Sequence, residues 1–145
     1  MKTVRQLLGR KGHSVFTTAP DTTVLEALEE MAERDVGALV VLDPKGEVAG
    51  LVSERDYARK VILRGKVSRD TPVREIMTTQ VICVSSQQSV DACMKLMTEH
   101  RIRHLPVVEN GQLAGLISIG DVVKAVIEDQ QFTIEQLQHY ISGRG

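Results

Sequence analysis

Two short stretches of this chain combine residue types that could bind a nucleotide. Gly50-Leu51-Val52-Ser53-Glu54-Arg55-Asp56 and Gly115-Leu116-Ile117-Ser118-Ile119-Gly120-Asp121 each place a Gly on an apolar run, a Ser at its end and an Asp three residues later. If an apolar strand passes into a helix at that Ser, the helix start offers unpaired N–H groups and the positive end of the peptide dipoles, which suit a phosphate. The Ser hydroxyl adds a donor, so Ser53 and Ser118 are phosphate candidates. A carboxylate one turn in can accept both hydroxyls of a ribose, which makes Asp56 and Asp121 ribose candidates. The same spacing also reads as helix capping, since Ser followed three residues later by an acid stabilises a helix start without any ligand.

Other reactive groups form no recognisable catalytic set. His100 and His104 are four apart, but a helix-to-strand boundary is expected between them and no third metal ligand is apparent. Ser118 precedes Gly120, yet Leu116 stands where a nucleophile elbow requires Gly. No Walker pattern occurs. Arg10 and Lys11, between Gly9 and Gly12, read as a short basic loop, either a solvated turn or a phosphate contact.

The elements that must position these groups are duplicated. Val24, Met31, Glu33, Leu39 and Val41 recur at Val90, Met97, Glu99, Leu105 and Val107. One residue is lost in the following turn, and Ala49-Gly50-Leu51, Ser53 and Asp56 then match Ala114-Gly115-Leu116, Ser118 and Asp121. A further block precedes each unit, Val4-Arg5-Gln6-Leu7-Leu8 and Val73-Arg74-Glu75-Ile76-Met77. Each unit begins with an extended run, Val15 to Thr18 or Val81 to Val84. An amphipathic helix follows, announced in the first unit by a Thr23–Glu26 capping box. Two apolar runs then flank a turn at Asp43-Pro44-Lys45-Gly46 or Glu109-Asn110-Gly111. A second helix, about Glu54 to Leu63 or Ile119 to Ile127, closes the unit, with Gly65 a stop for the first. The fold class expected is α+β: two β-α-β-β-α repeats packed with pseudo-two-fold symmetry, because one such unit is too small for a core of its own. The expected division is an N-terminal segment 1–14, a first repeat 15–65, a linker 66–80, a second repeat 81–129 and a tail 130–145. The tail reads as an extra helix whose Phe132, Ile134, Leu137 and Ile141 need a partner, and a homodimer is expected to provide it.

Composition narrows the function classes. Hydrophobic residues make up 42% of the 145, so the chain folds, and aromatics only 3%, so Val, Leu, Ile, Ala and Met must build the core. So few aromatics and a net charge of −1 argue against nucleic acid as a partner. No apolar run approaches the ~20 residues that span a bilayer, and no secretory signal is legible, so a cytoplasmic location without membrane attachment is expected. Cys83 and Cys93 lie in apolar segments and read as buried thiols.

The chain resembles a tandem pair of cystathionine-β-synthase-type (CBS) domains, a Bateman module, from about Val4 to Asp129. The resemblance rests on Thr18-Ala19-Pro20-Asp21-Thr22-Thr23-Val24, Val36-Gly37-Ala38-Leu39-Val40-Val41, the Gly…Ser…Asp junction, and their second copies including Ile102-Arg103-His104-Leu105-Pro106-Val107. It implies a non-catalytic regulatory module that binds adenosine ligands in two clefts between the repeats. AMP comes first among them, with ADP, ATP or an NAD-type dinucleotide also in the class and S-adenosylmethionine as the alternative; a structural dimerisation module with empty clefts is a further one. Carried over residue by residue, Asp56 and Asp121 would hold ribose, and Ser53 and Ser118 would touch phosphate. Base pockets would draw on Phe16 or Ile82 and on the stretches Val36-Gly37-Ala38 and Ile102-Arg103-His104. Arg103 and His104 stand where the first repeat has Gly37 and Ala38, so the clefts are expected to be unequal. Arg55, Arg103 and His104 would enrich the Ser53 cleft, and Lys11 would be a cation for the Ser118 cleft. The chain is taken up by the repeats and a short tail, so an effector protein of unknown identity is expected to receive the signal.

Overall fold

The computed structural model describes residues 2–142. Helix α1 (Val4–Lys11) opens the chain behind a complete Thr3–Gln6 capping box. The first repeat follows as β1 (Thr17–Thr18), α2 (Val24–Arg34), β2 (Ala38–Leu42), β3 (Val48–Ser53) and α3 (Glu54–Tyr57). The second comprises α4 (Val90–His100), β4 (His104–Glu109), β5 (Gln112–Ser118) and α5 (Ile119–Ile141). In the first repeat β1 runs parallel to β2, and β2 antiparallel to β3. In the second, β4 and β5 form an antiparallel hairpin. Its turn uses Asn110 (φ 52°) and Gly111 (φ 78°), the left-handed pair that a tight hairpin favours.

Each repeat buries one apolar core, and the block preceding the other repeat completes it. Val4, Leu7 and Leu8 of α1 lie in the second core with Val90, Cys93, Met97, Leu105 and Ile117. Val73 and Ile76 lie in the first core with Val24, Met31, Leu39 and Val52. The backbone follows the same exchange. Val4 N–H donates to Gln88 O (2.8 Å) and Val90 N–H to Lys2 O (2.9 Å), while Val73 N–H donates to Thr22 O (2.8 Å) and Val24 N–H to Thr71 O (2.8 Å). The fold is therefore the expected α+β pair of repeats with pseudo-two-fold symmetry. The stretch 66–80 is more than a connection, since it carries Val73 and Ile76 into the first core.

Five local expectations are corrected. Val81–Val84 does not form a strand: only Val84 pairs, as a single parallel bridge to Val107. In the first repeat Val40 N–H donates to Phe16 O, but the matching position in β4 is Pro106, which has no N–H for Ile82. Thr23 caps α2 by accepting from Glu26 N–H, while the Glu26 side chain stays exposed, so only half of the box forms. The helix after Ser53 is α for one turn and then widens to a π-helix over Ala58–Ile62. The expected terminal helix is the continuation of α5, one helix of 23 residues with no Pro and no Gly after Gly120 to break it. Cys93 is buried, its thiol pushed up to about 11 by desolvation, but Cys83 is exposed.

Candidate functional site

Both junction motifs form the local structure their residues dictate. Ser53 and Ser118 sit in extended conformation at helix starts, and each closes a full capping box with the Asp three residues on. Ser53 N–H donates to Asp56 Oδ2 (3.0 Å) and Ser118 N–H to Asp121 Oδ2 (2.8 Å), while the Asp N–H groups donate back to the Ser hydroxyls at 3.3 and 3.2 Å. The capping reading is thus realised at both places, and it fixes each carboxylate at a strand-to-helix corner. The Gly on each strand makes room for the block from elsewhere in the chain. A Cβ on Gly50 would stand 2.6 Å from Met77 Sδ and 2.9 Å from Thr78 O, and one on Gly115 would stand 2.9 Å from Leu8 Cδ2. Glu54 N–H donates to Gly37 O (3.1 Å) and Ile119 N–H to Arg103 O (2.8 Å), so each helix start is pinned to the beginning of the neighbouring strand.

The first junction opens on a cleft of about 370 Å³ between the repeats. Ser53, Arg55, Asp56 and Gly37 line it from the first repeat, and Ile82, Ile102, Arg103 and His104 from the second. The sequence predicted this convergence for Arg103 and His104. It did not predict Arg59 or Glu54, nor the polar rim of Thr78 and Gln80. Arg59 had a legible signal, because it follows Arg55 by four residues on one helical face. Arg101, which caps α4 in the left-handed conformation (φ 53°, ψ 45°) ahead of β4, also lines the cleft. Four arginines from two repeats thus face one space against the carboxylates of Glu54 and Asp56, a balance that favours an anion. Asp56 Oδ1 also receives Lys60 Nζ at 3.1 Å, from one turn along the chain. That lysine binds Ile76 O (2.9 Å) as well.

Three base-pocket candidates lie elsewhere. Phe16 and Val36 pack against the first core, with the Arg34 guanidinium 5.0 Å above the Phe16 ring, and Ala38 is buried at the start of β2.

At the second junction the protein's own Lys11 reaches the carboxylate, beside a smaller cavity of about 160 Å³ lined by Arg10, Lys11, Asp121, Lys124 and Glu128. The expected basic loop is instead the end of α1. Lys11 Nζ donates to Asp121 Oδ2 (2.6 Å) and to Leu116 O (2.6 Å), and Arg10 pairs with Glu128 on α5. Burial alone would raise the Asp121 carboxyl, but hydrogen bonds from Lys11 and Ser118 and the charge of Lys11 outweigh it and hold the group below its usual value. His104 lies near this pair as well. Burial first, then the charge of Lys11, lower its imidazole below 6.5; Asp121 opposes and Arg103 adds to the lowering, so the ring is predominantly neutral at neutral pH. His100 ends α4 and His104 begins β4, so they share no helical face. Among the described residues no group of three His, Cys, Asp or Glu is placed to hold a metal ion, and no helix is long and apolar enough to cross a membrane.

Comparison with known proteins agrees with this architecture. The CBS domain family matches twice, over residues 4–63 and 73–128, and each match begins at the block that completes the other repeat's core. The chain is 39% identical over 149 residues to the CBS domain-containing protein CBSX3, mitochondrial, of Arabidopsis thaliana, covering 97% of this chain and 72% of that one. A solved CBS-domain protein of Burkholderia ambifaria is 53% identical and superposes with a TM-score of 0.84, covering 92% of this chain and 99% of that one. The CBS domain pair of protein MJ0100, solved with 5′-methylthioadenosine and S-adenosyl-L-methionine, shares the fold at 22% identity (TM-score 0.79; 89% and 98% covered). With two family matches that together span most of its length and repeats that complete each other's cores, the chain belongs to the CBS domain family as a tandem pair.

Proposed function

We propose that this pair is a non-catalytic regulatory module whose Ser53–Asp56 cleft takes a phosphate-bearing adenosine ligand, AMP first, with ADP, ATP and NAD-type dinucleotides in the same class. The observation that carries the reading is the convergence of Arg55, Arg59, Arg101 and Arg103 from both repeats on one cleft beside a fixed carboxylate. In this reading Asp56 accepts the ribose hydroxyls, Ser53, Arg55 and Arg103 hold phosphate, and Ile82 and Ile102 give the base an apolar wall. His104, neutral near pH 7, serves as a hydrogen-bonding group there rather than as a cation. A ligand that bridges both repeats stabilises their mutual arrangement, and an effector protein reads that arrangement. Asp56 is committed to its helix cap, which suits orientation of a sugar better than proton transfer. The reading includes a homodimer, supported by the exposed Phe132, Ile134, Leu137 and Ile141 on α5, and a cytoplasmic location, although the Arabidopsis relative is named as mitochondrial.

A second reading, S-adenosylmethionine in the same cleft, is supported by the ligands of the MJ0100 pair and by Glu54, a second carboxylate that could face a sulfonium. Calorimetry and thermal unfolding with AMP, ADP, ATP, NAD and S-adenosylmethionine separate these readings. A ligand that binds only the folded state stabilises it by about 2.7 kcal/mol at a hundredfold excess over Kd. The proposal expects the phosphate-bearing ligands to raise Tm. Stabilisation by S-adenosylmethionine alone would establish the second reading, and a flat panel would leave a dimerisation module with empty clefts.

A further inference from the structure

The two junctions share a motif, yet at only one of them does a cation from α1 join the incoming strand to the carboxylate. Leu51 and Asp56 both line the open cleft of the first junction, one from β3 and one from α3. Their counterparts, Leu116 and Asp121, are joined by a single ammonium, with Lys11 Nζ 2.6 Å from each acceptor. At the first junction the Leu51 carbonyl is satisfied differently, by the backbone N–H of Thr78 (2.9 Å), and Thr78 itself lines the cleft wall. The blocks that pack on the two glycines differ in how far they stay helical. The one at Val73 turns extended by Thr78, which pairs with Leu51, whereas α1 runs on to Lys11 and delivers a side chain.

We propose that Lys11 is a tethered occupant of the second junction that excludes ribose from Asp121 and so restricts this chain to one adenosine ligand, at Ser53–Asp56. The inference rests on the reading of that cleft as an adenosine site. Asp121 Oδ2 already accepts from Ser118 N–H and Lys11 Nζ, and the cavity that Lys11 and Asp121 line, about 160 Å³, is less than half the volume of the first cleft, about 370 Å³. The Lys11 side chain is 33% exposed against 24% for Asp121, and Arg10 on the same helix and Lys2 just ahead of it pair with Glu128. A ribose arriving at Asp121 must break two short charge-assisted bonds before it forms its own. Asp56 carries a cation too, but Lys60 comes from the same helix and does not line the cleft.

Titration of wild-type protein and of Lys11→Met with AMP, by calorimetry and by amide NMR, tests this. Glu54 and Arg55 report on the first junction and Ile119 and Gly120 on the second, and unchanged α2 and α4 amides confirm that the variant folds. Wild type is expected to take one equivalent and to shift only Glu54 and Arg55. Lys11→Met is expected to take a second equivalent that shifts Ile119 and Gly120, tightened at least about tenfold over wild type at that junction. Lys11→Arg keeps the cation and is expected to remain at one. Two equivalents in wild type, or one in Lys11→Met, would overturn the inference. Weaker second-junction binding in Lys11→Met would do so as well and would make Lys11 a phosphate contact. Failure of Glu54 and Arg55 to shift in either protein would instead remove the adenosine reading, and this inference with it.

Discussion

The Ser53–Asp56 and Ser118–Asp121 corners have the same capping box, the same glycine on the incoming strand and the same backbone bond to the neighbouring strand. One opens on a cleft of about 370 Å³ lined by four arginines, and the other is bridged by Lys11. Duplication reproduced the local geometry that each motif encodes. Access to the motif is decided by chain outside it, by whether the block laid on the glycine ends in extended backbone or in a helix with a lysine at its tip. A repeated motif therefore carries repeated corners, not a repeated environment around them.

The exchange of blocks gives the largest expected effect. Leu8 and Ile76 are each 1% exposed, one in each core. Leu8→Ala and Ile76→Ala should each cost about 2–5 kcal/mol in urea unfolding. An unchanged midpoint for Leu8→Ala would mean that α1 is an appendage and that the two halves differ in their cores as well as their clefts. Next come the carboxylates. Asp56→Ala should lose about 1.5–3 kcal/mol of AMP affinity by calorimetry, while Asp121→Ala should leave the affinity of the first cleft unchanged. Equal losses would erase the distinction between the corners.

The glycines sharpen the comparison further. A Cβ on Gly50 meets the backbone oxygen of Thr78 as well as Met77, whereas one on Gly115 meets the flexible tip of Leu8. Gly50→Ala should cost about 1–3 kcal/mol and Gly115→Ala less, since overpacking is relieved where a side chain can move. The smallest effect concerns pH. His104 holds a folded pKa below 6.5, so the folded state binds its proton less readily than the unfolded chain does. Stability should be full above the unfolded value and fall as pH drops from there through the folded value. His104→Ala, which restores the alanine of the first repeat at Ala38, should flatten stability across that interval as followed by thermal unfolding. An unchanged slope would remove His104 from the asymmetry.

Much of this was legible in the sequence, for reasons that lie in particular residues. The hairpin at Asn110-Gly111, the caps at Ser53 and Ser118 and the helical stripe of Val24, Ala27 and Met31 are local, and side-chain type decides them. The arrival of Arg103 and His104 beside Ser53 followed from treating the repeats as a symmetric pair. The exchange of Val4–Leu8 and Val73–Met77 between the cores was visible only as a third repeated block, because spacing along a chain does not say which copy a block packs on. The loss of pairing at Ile82 hung on one missing N–H, at Pro106. Lys11 was read as part of a loop because Gly9 and Gly12 flank it, yet tertiary burial of Leu7 and Leu8 carries the helix through Gly9.

The central claim is that the cleft shared by the repeats at Ser53–Asp56 is an adenosine phosphate site. Its most direct test is the AMP affinity of Arg103→Ala, measured by calorimetry against wild type. Arg103 lies in the opposite repeat from Asp56 and contributes its backbone carbonyl to the start of α5, which truncation of the side chain does not touch. The account predicts a loss of about 1.5–3 kcal/mol, roughly ten- to hundredfold in Kd, with the fold intact. AMP binding to Arg103→Ala as tight as to wild type would contradict it.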